Sequence, residues 1–212
     1  MVYVTYIAAL IVAYLLGSIN TAIIVSIFYK KDIRDCGSKN AGTTNVLRTF
    51  GKSAALIVLI CDLLKAVLAV FIVKIAAFAL IGVLPTLNTN LCLYLAGIGA
   101  VLGHNYPIYF GFRGGKGIAA SIAVIIMISP LYGLICAVIG ILIMLTTRYV
   151  SLGSIVGAAT YFLLALTFYF KHQNLYFVLF AFCIAAMAIY KHKANIARLI
   201  HGTESKLKFK KG

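Results

Sequence analysis

A chain of 212 residues that is 63% hydrophobic, only 11% charged and of mean hydropathy +1.06 lies outside the range of soluble domains and excludes an ordinary water-soluble fold. Nineteen Lys and Arg against only Asp32, Asp35, Asp62 and Glu204 give a net charge of +15, which calls for an anionic neighbour and leaves too few carboxylates for paired-carboxylate catalysis. Ligand spacings for a metal are missing and Cys36, Cys61, Cys92, Cys136 and Cys183 stand singly, so the cysteines read as packing residues and neither metal nor cofactor is implied.

Apolar runs of the length a helix needs to cross a bilayer, about 20 residues, recur along the chain, and the alternating strands of a membrane barrel are absent. The class is therefore all-α and polytopic. The first run, Tyr3 to Tyr29, has no basic residue before Lys30, which predicts a retained span with the N-terminus outside rather than a secretory leader. The loop from Asp35 to Arg48 follows, with Ser38, Asn40, Gly42, Thr43, Thr44 and Asn45 close together. Hydroxyls, amides, backbone N–H groups freed by glycine and one guanidinium suit a phosphate, although a solvated turn uses the same residue types.

The second run, Ser53 to Leu84, contains Asp62 and Lys65 at i, i+3, a spacing that lets them neutralise each other as a structural ion pair inside the membrane. After the third run, Leu91 to Phe110, comes Gly103-His104-Asn105-Tyr106-Pro107 and then Arg113-Gly114-Gly115-Lys116-Gly117, where a new helix begins. Glycines admit an anion to the backbone, the helix N-terminus offers free N–H groups, and Lys116 adds a full charge. The spacing is not that of a P-loop. The run Ile118 to Thr147 is long for one crossing and short for two, with Pro130 near its middle, and the side on which the basic loops fall decides for a break there into two short spans.

Arg148 is followed by Ser151 and Ser154, three apart on one face at the start of the run Ile155 to Phe170. Helix capping accounts for one of them, Ser151. Beyond the last run, Leu175 to Tyr190, His192, Asn195 and Arg198 share a helical face in a basic tail; an interfacial helix lying on lipid has the same pattern. With the break at Pro130, 16 of the 19 basic residues fall on one side, leaving Lys65, Lys74 and Lys171 elsewhere. Basic loops mark the cytoplasmic side. The predicted topology is seven transmembrane helices, N-terminus out and C-terminus in, as a single domain over residues 1–212.

Four motifs in order carry a family resemblance: Gly37-Ser38-x-Asn40-x-Gly42-x-Thr44-Asn45-Val46-x-Arg48; Gly103-His104-x-x-Pro107 with Gly114-Gly115-Lys116-Gly117; Ser151-Leu152-x-Ser154; and His192-x-x-Asn195-Ile196-x-Arg198-Leu199-x-x-Gly202-x-Glu204. The chain resembles the bacterial membrane glycerol-3-phosphate acyltransferases that use acyl phosphate, from about Gly17 to Lys208. The resemblance implies transfer of a fatty acyl group from acyl phosphate to the 1-hydroxyl of glycerol 3-phosphate, giving lysophosphatidate and phosphate, in a multi-pass bacterial inner-membrane enzyme whose motifs converge on the cytoplasmic face. Lys39 and Ala41 stand where the family commonly has Gly and Pro, and Asn20 where Pro is common.

On that reading Ser38, His192 and Asn195 are the catalytic candidates. Asn40, Thr43, Asn45, Arg48, His104, Gly114, Gly115, Lys116, Gly117, Ser151 and Ser154 are the substrate-binding ones, with Asp62, Lys65 and Glu204 as structural support. The partners are glycerol 3-phosphate, a fatty acyl phosphate and membrane lipid, with no nucleic acid. Acyl phosphate has a built-in leaving group, and no His–Asp pair is present to activate a serine or cysteine, so direct attack without an acyl-enzyme is expected. The His-x-x-x-x-Asp signature of other glycerolipid acyltransferases is absent: Tyr109, Phe177, Ala197 and Lys206 stand five residues after the four histidines. The competing class is a transporter or channel for phosphorylated anions, with Arg48, Lys116 and Lys65 along its path.

Overall fold

Helix α1 (Val2–Gly17) stops at Ser18 although the apolar run continues into α2 (Thr21–Phe28). No proline causes the break. Asn20 is extended and its Oδ1 accepts from the Ile23 N–H at 3.1 Å, starting α2 afresh, while the Ile19 carbonyl, stranded by the interruption, accepts from Lys65 Nζ at 2.7 Å. A backbone carbonyl in an apolar surrounding needs such a partner. The predicted single helix over Tyr3 to Tyr29 is thus two pieces.

This computed structural model describes residues 1–207; the lysines at 208, 210 and 211 of the predicted basic tail lie outside the described residues, as do the side chains of Lys171 and His172. All regular structure among the described residues is helical. The chain continues through α3 (Thr43–Phe50), α4 (Lys52–Leu80), α5 (Thr89–Asn105), α6 (Ile118–Ile128), α7 (Pro130–Thr147), α8 (Val150–His172), α9 (Leu175–Lys191) and α10 (Lys193–Ile200). Among the described residues five stretches are long and apolar enough to cross a membrane, namely α1 with α2, α4, α5 with its following turn, α7 and α8; α9 and α10, bent by 58° at His192, make a sixth if taken together. Large apolar side chains such as Leu56, Ile60, Leu64, Leu134, Leu142 and Leu163 stand exposed along them, as lipid-facing positions require.

The break at Pro130 is present: α6 ends at Ile128 and Pro130 opens α7, where its missing N–H costs nothing. Helix α3 was not predicted. Thr43, Thr44 and Asn45 are poor helix formers, but Val46 is fully buried and Leu47 and Phe50 pack on a cluster of Ile23, Ile33, Ala41, Ala54 and Val58, so tertiary burial decides the conformation.

The chain divides into two compact units, Met1–Ile128 and the part from Ser129 onward. In the first, α1 packs along α5, and α4 packs against α1, α5 and α6. The approach of α1 and α5 is close enough that a Cβ at Gly103 would run into the Tyr14 carbonyl, the small-residue contact common between membrane helices. In the second, α8 lies between α7 and α9, with α10 against both α8 and α9. Its core is aromatic: Tyr161 and Phe180 are almost wholly buried, Phe177 meets both, and the Tyr161 hydroxyl lies 3.1 Å from that of Ser129.

Candidate active site

In the first unit the loop after α2 is built around one side chain. Asn45, in the first turn of α3 and 1% exposed, donates through Nδ2 to the carbonyls of Ile33 (3.1 Å), Cys36 (2.9 Å) and Asn40 (3.0 Å) and accepts at Oδ1 from the Ser38 N–H at 2.9 Å. In this structure that side chain, expected as a substrate ligand, holds the loop in shape. The curled backbone puts Gly37 at φ +53° and Lys39 at φ +58°. Only glycine takes the left-handed region freely, which explains why a glycine suits position 39. Lys39→Gly is expected to raise the thermal midpoint by relieving about 1 kcal/mol of strain, measured by a thermal shift in detergent. Ala41, at the other departure from the family pattern, is fully buried.

Ser38 is exposed, Asn40 and Thr43 half-buried, and Arg48 exposed on the last turn of α3. A second device escaped the sequence reading: Arg34 clasps Asp32 through Nε and Nη2 (2.7–3.0 Å) and donates through Nη1 to the Phe110 carbonyl at 2.9 Å. The Arg34 hydrogen bond holds the Asp32 carboxyl below its ordinary pKa and lifts that of Arg34. Asp32 and Arg34 are only two residues apart, yet nothing in the sequence announces that Arg34 reaches across 76 residues to tie the first loop to the second.

The two loops meet at Gly115. Its N–H donates to the His104 carbonyl at 3.1 Å, and a Cβ there would overlap both His104 Nε2 and the Ala41 carbonyl. Gly114 is pressed against the His104 carbonyl and Pro107 in the same way. Gly117 takes φ +75° next to Asn105, and α6 starts one residue later, so Lys116, half-buried, sits at the mouth of that helix as expected. Behind the loop, His104, Asp62 and Lys65 are 3%, 1% and 8% exposed. Lys65 Nζ stands 2.8 Å from Asp62 Oδ1 and 3.2 Å from His104 Nδ1, so the predicted ion pair exists and continues into the histidine of the second motif.

In the second unit the polar centre is Glu204. Its Oε1 accepts from Ser151 Oγ and from Asn195 Nδ2, each at 2.7 Å, and its Oε2 accepts from Arg198 Nε at 2.7 Å. Burial alone would raise the Glu204 pKa, but the hydrogen bonds from Asn195, Ser151 and Arg198, with the charge of Arg198, outweigh it and hold the carboxyl below the usual glutamate value. Ser151, a substrate-binding candidate for which capping of α8 is the competing explanation, is not the cap. That position is taken by Tyr149, without a side-chain bond, and Ser151 reaches the tail instead. Ser154 Oγ turns back to the Val150 carbonyl at 2.9 Å. His192, 2% exposed at the bend between α9 and α10, has Nδ1 2.7 Å from the Ala188 carbonyl; a carbonyl only accepts, so Nδ1 carries a proton. The tail is pinned again where the Leu207 N–H donates to the Arg148 carbonyl at 2.8 Å and Lys206 lies over the Tyr149 ring. Sequence spacing joined His192, Asn195 and Arg198 as a face; the partnership of Ser151 with Glu204, 53 residues apart, has no local signal.

All-helical membrane architecture, a glycine-rich turn backed by histidine and a serine–asparagine–glutamate hub together define a polytopic membrane protein with polar groups at its loops. The glycerol-3-phosphate acyltransferase family model matches residues 7–202, and the chain belongs to that family of enzymes. Among its relatives, the glycerol-3-phosphate acyltransferase of Thermoanaerobacter pseudethanolicus is 46% identical over 93% of each chain, and that of Clostridioides difficile 44% identical over 98% of each. The crystal structure of PlsY (YgiH), an integral membrane glycerol 3-phosphate acyltransferase, in its glycerol 3-phosphate form superposes with a TM-score of 0.81 at 33% identity, covering 96% of both chains. The lysophosphatidic acid form of PlsY gives 0.78 at 32%, covering 96% of this chain and 95% of that one.

Proposed function

We propose that the whole chain acts as one acyltransferase domain, moving a fatty acyl group from acyl phosphate to the 1-hydroxyl of glycerol 3-phosphate and releasing lysophosphatidate and inorganic phosphate, the first step of phospholipid synthesis. The observation that carries this reading is the family match over residues 7–202, which takes in the first polar cluster and Ser151, His192, Asn195 and Arg198 of the second. Structures of a relative named as its glycerol 3-phosphate and lysophosphatidic acid forms support substrate and product of this kind. Both substrates carry phosphate, and the chain offers Arg48 and Lys116 beside glycine-rich backbone.

In the proposed reaction the glycerol hydroxyl oxygen attacks the acyl carbonyl, the carbon–oxygen bond to phosphate breaks, and phosphate leaves. The hydroxyl proton passes to a substrate phosphate oxygen, whose second pKa of about 6 makes it a usable base near neutral pH. Ser38, His192 and Asn195 orient or polarise the reacting groups, Asn40, Thr43, Arg48, His104, Lys116 and the glycines Gly114, Gly115 and Gly117 receive phosphate oxygens, and Ser151 and Ser154 position their surroundings. No acyl-enzyme forms. Intact-protein mass measured after mixing with acyl phosphate alone should be unchanged, and initial-rate lines should intersect; an added acyl mass on a serine or cysteine, or parallel lines, would overturn direct attack. Arg48→Ala and Lys116→Ala should each cost roughly tenfold or more in KM or kcat, the weight of a charged hydrogen bond of about 1.5–3 kcal/mol. Normal kinetics in both variants would remove them from the phosphate sites. The transporter reading is tested on the same preparation, since glycerol 3-phosphate uptake into proteoliposomes without acyl transfer would favour it.

The proposed setting is the bacterial inner membrane, with seven crossings, N-terminus out, C-terminus in and the reacting groups at the cytoplasmic face. The distribution of basic residues supports it. Helix α6, 11 residues and about 16 Å long, crosses only where the bilayer thins around it. Single cysteines placed near Lys39, Gly114, Ser151 and Lys206 on a cysteine-free background should all label from the cytoplasm. Labelling at Ser151 from outside alone would reduce the count.

A further inference from the structure

The Lys65 ammonium has three N–H donors and no acceptor, and three acceptors surround it: the Ile19 carbonyl at 2.7 Å, Asp62 Oδ1 at 2.8 Å and His104 Nδ1 at 3.2 Å. An ammonium can only donate, so His104 Nδ1, 3.2 Å from Lys65 Nζ, has to present a lone pair to it. An Nδ1–H would instead point its proton at the ammonium 3.2 Å away. The ring is therefore neutral, and its proton sits on Nε2. That nitrogen is the one against Gly115, beside the Ala41 carbonyl.

We propose that Asp62 and Lys65 are positioning residues of the acyltransfer site. They hold His104 as the Nε2–H tautomer, so that a fixed donor, and not a lone pair, faces the turn where the first and second loops meet, and a phosphate monoester oxygen can approach it. A lone pair there would repel both the Ala41 carbonyl and an incoming anion. The ion pair thus has a purpose beyond neutralising itself and capping the broken α1–α2 junction at Ile19. This inference rests on the reading of Gly114–Gly117 as an anion-binding turn.

The test is nitrogen NMR of the full-length protein, labelled at its four histidines, in lipid nanodiscs, with His104 assigned by its loss in His104→Gln. His104 should be neutral with the proton on Nε2. In Lys65→Met the Nε2–H form should give way to Nδ1–H, with KM for glycerol 3-phosphate raised about tenfold and kcat changed much less. An imidazolium or Nδ1–H ring in the parent protein would overturn the inference, as would a Lys65→Met protein with parental tautomer. Should Lys65→Met fail to fold, the parental tautomer decides together with two further variants. His104→Gln, whose amide nitrogen can stand near the place of Nε2, should keep KM within about threefold, and His104→Asn, too short to reach, should raise it about tenfold. Equal losses in the two would count against it. If both leave KM untouched while the tautomer is as stated, the failure lies in the reading of the turn, and the positioning role falls with it.

Discussion

Gly115→Ala should cost the protein most of its activity and about 1–3 kcal/mol of stability. A methyl at this position overlaps His104 Nε2 on one side and the Ala41 carbonyl on the other. The histidine ring is buried against Lys65 and the carbonyl is main chain, so neither can swing aside as a flexible side chain would; the two loops must part. A Gly82→Ala control meets nothing within 4 Å and should behave as wild type. Turnover and thermal midpoint measured side by side decide the point, and a Gly115→Ala enzyme of normal activity would show that the two loops need not touch.

Glu204→Ala should be similarly severe in the second unit. It leaves Ser151, Asn195 and Arg198 without the acceptor they share, at about 1.5–3 kcal/mol for a hydrogen bond to a charged group. Expression level and thermal midpoint should fall together. The pH dependence has a definite sign. Because the folded Glu204 carboxyl has its pKa below the ordinary value of 4.5, the charged form is the one folding favours. Its contribution is complete above that value and is lost as pH falls through the lowered one. Glu204→Gln keeps the shape but not the charge, so its stability deficit should be largest near neutral pH and shrink as the medium is acidified below about pH 4. A deficit that is constant with pH would mean the carboxylate charge contributes nothing.

Much of the architecture is legible in the sequence because the hydrophobic signal of a membrane span is strong and local. The apolar runs, the break at Pro130, the i, i+3 pairing of Asp62 with Lys65 and a helix beginning after Gly117 are all readable from residue types and spacing. The break at Ser18–Asn20 is not, since hydropathy runs through it unbroken. It depends on a cap from Asn20 and on a lysine from α4 that completes the Ile19 carbonyl. Helix α3 hides for a similar reason, its burial of Val46 against Ile33 and Val58 overriding weak propensity. At the candidate site, glycines and cations announce themselves by composition. What composition does not reveal is which polar side chains look inward: Asn45 and Ser151 share the residue chemistry of substrate ligands, and their places bracing a loop and holding the tail appear only in the fold. The link from Lys65 to His104 spans 39 residues and is visible only once α4 and α5 are packed together.

The most direct test of the acyltransferase assignment is to follow inorganic phosphate and lysophosphatidate together, using the purified full-length protein in lipid with acyl phosphate, with and without glycerol 3-phosphate, and with acyl-CoA or acylated carrier protein as alternative donors. Phosphate and lysophosphatidate should appear in equal amounts, only when acyl phosphate and glycerol 3-phosphate are both present. Acyl transfer from a thioester donor but not from acyl phosphate, or phosphate release that ignores glycerol 3-phosphate, would contradict it.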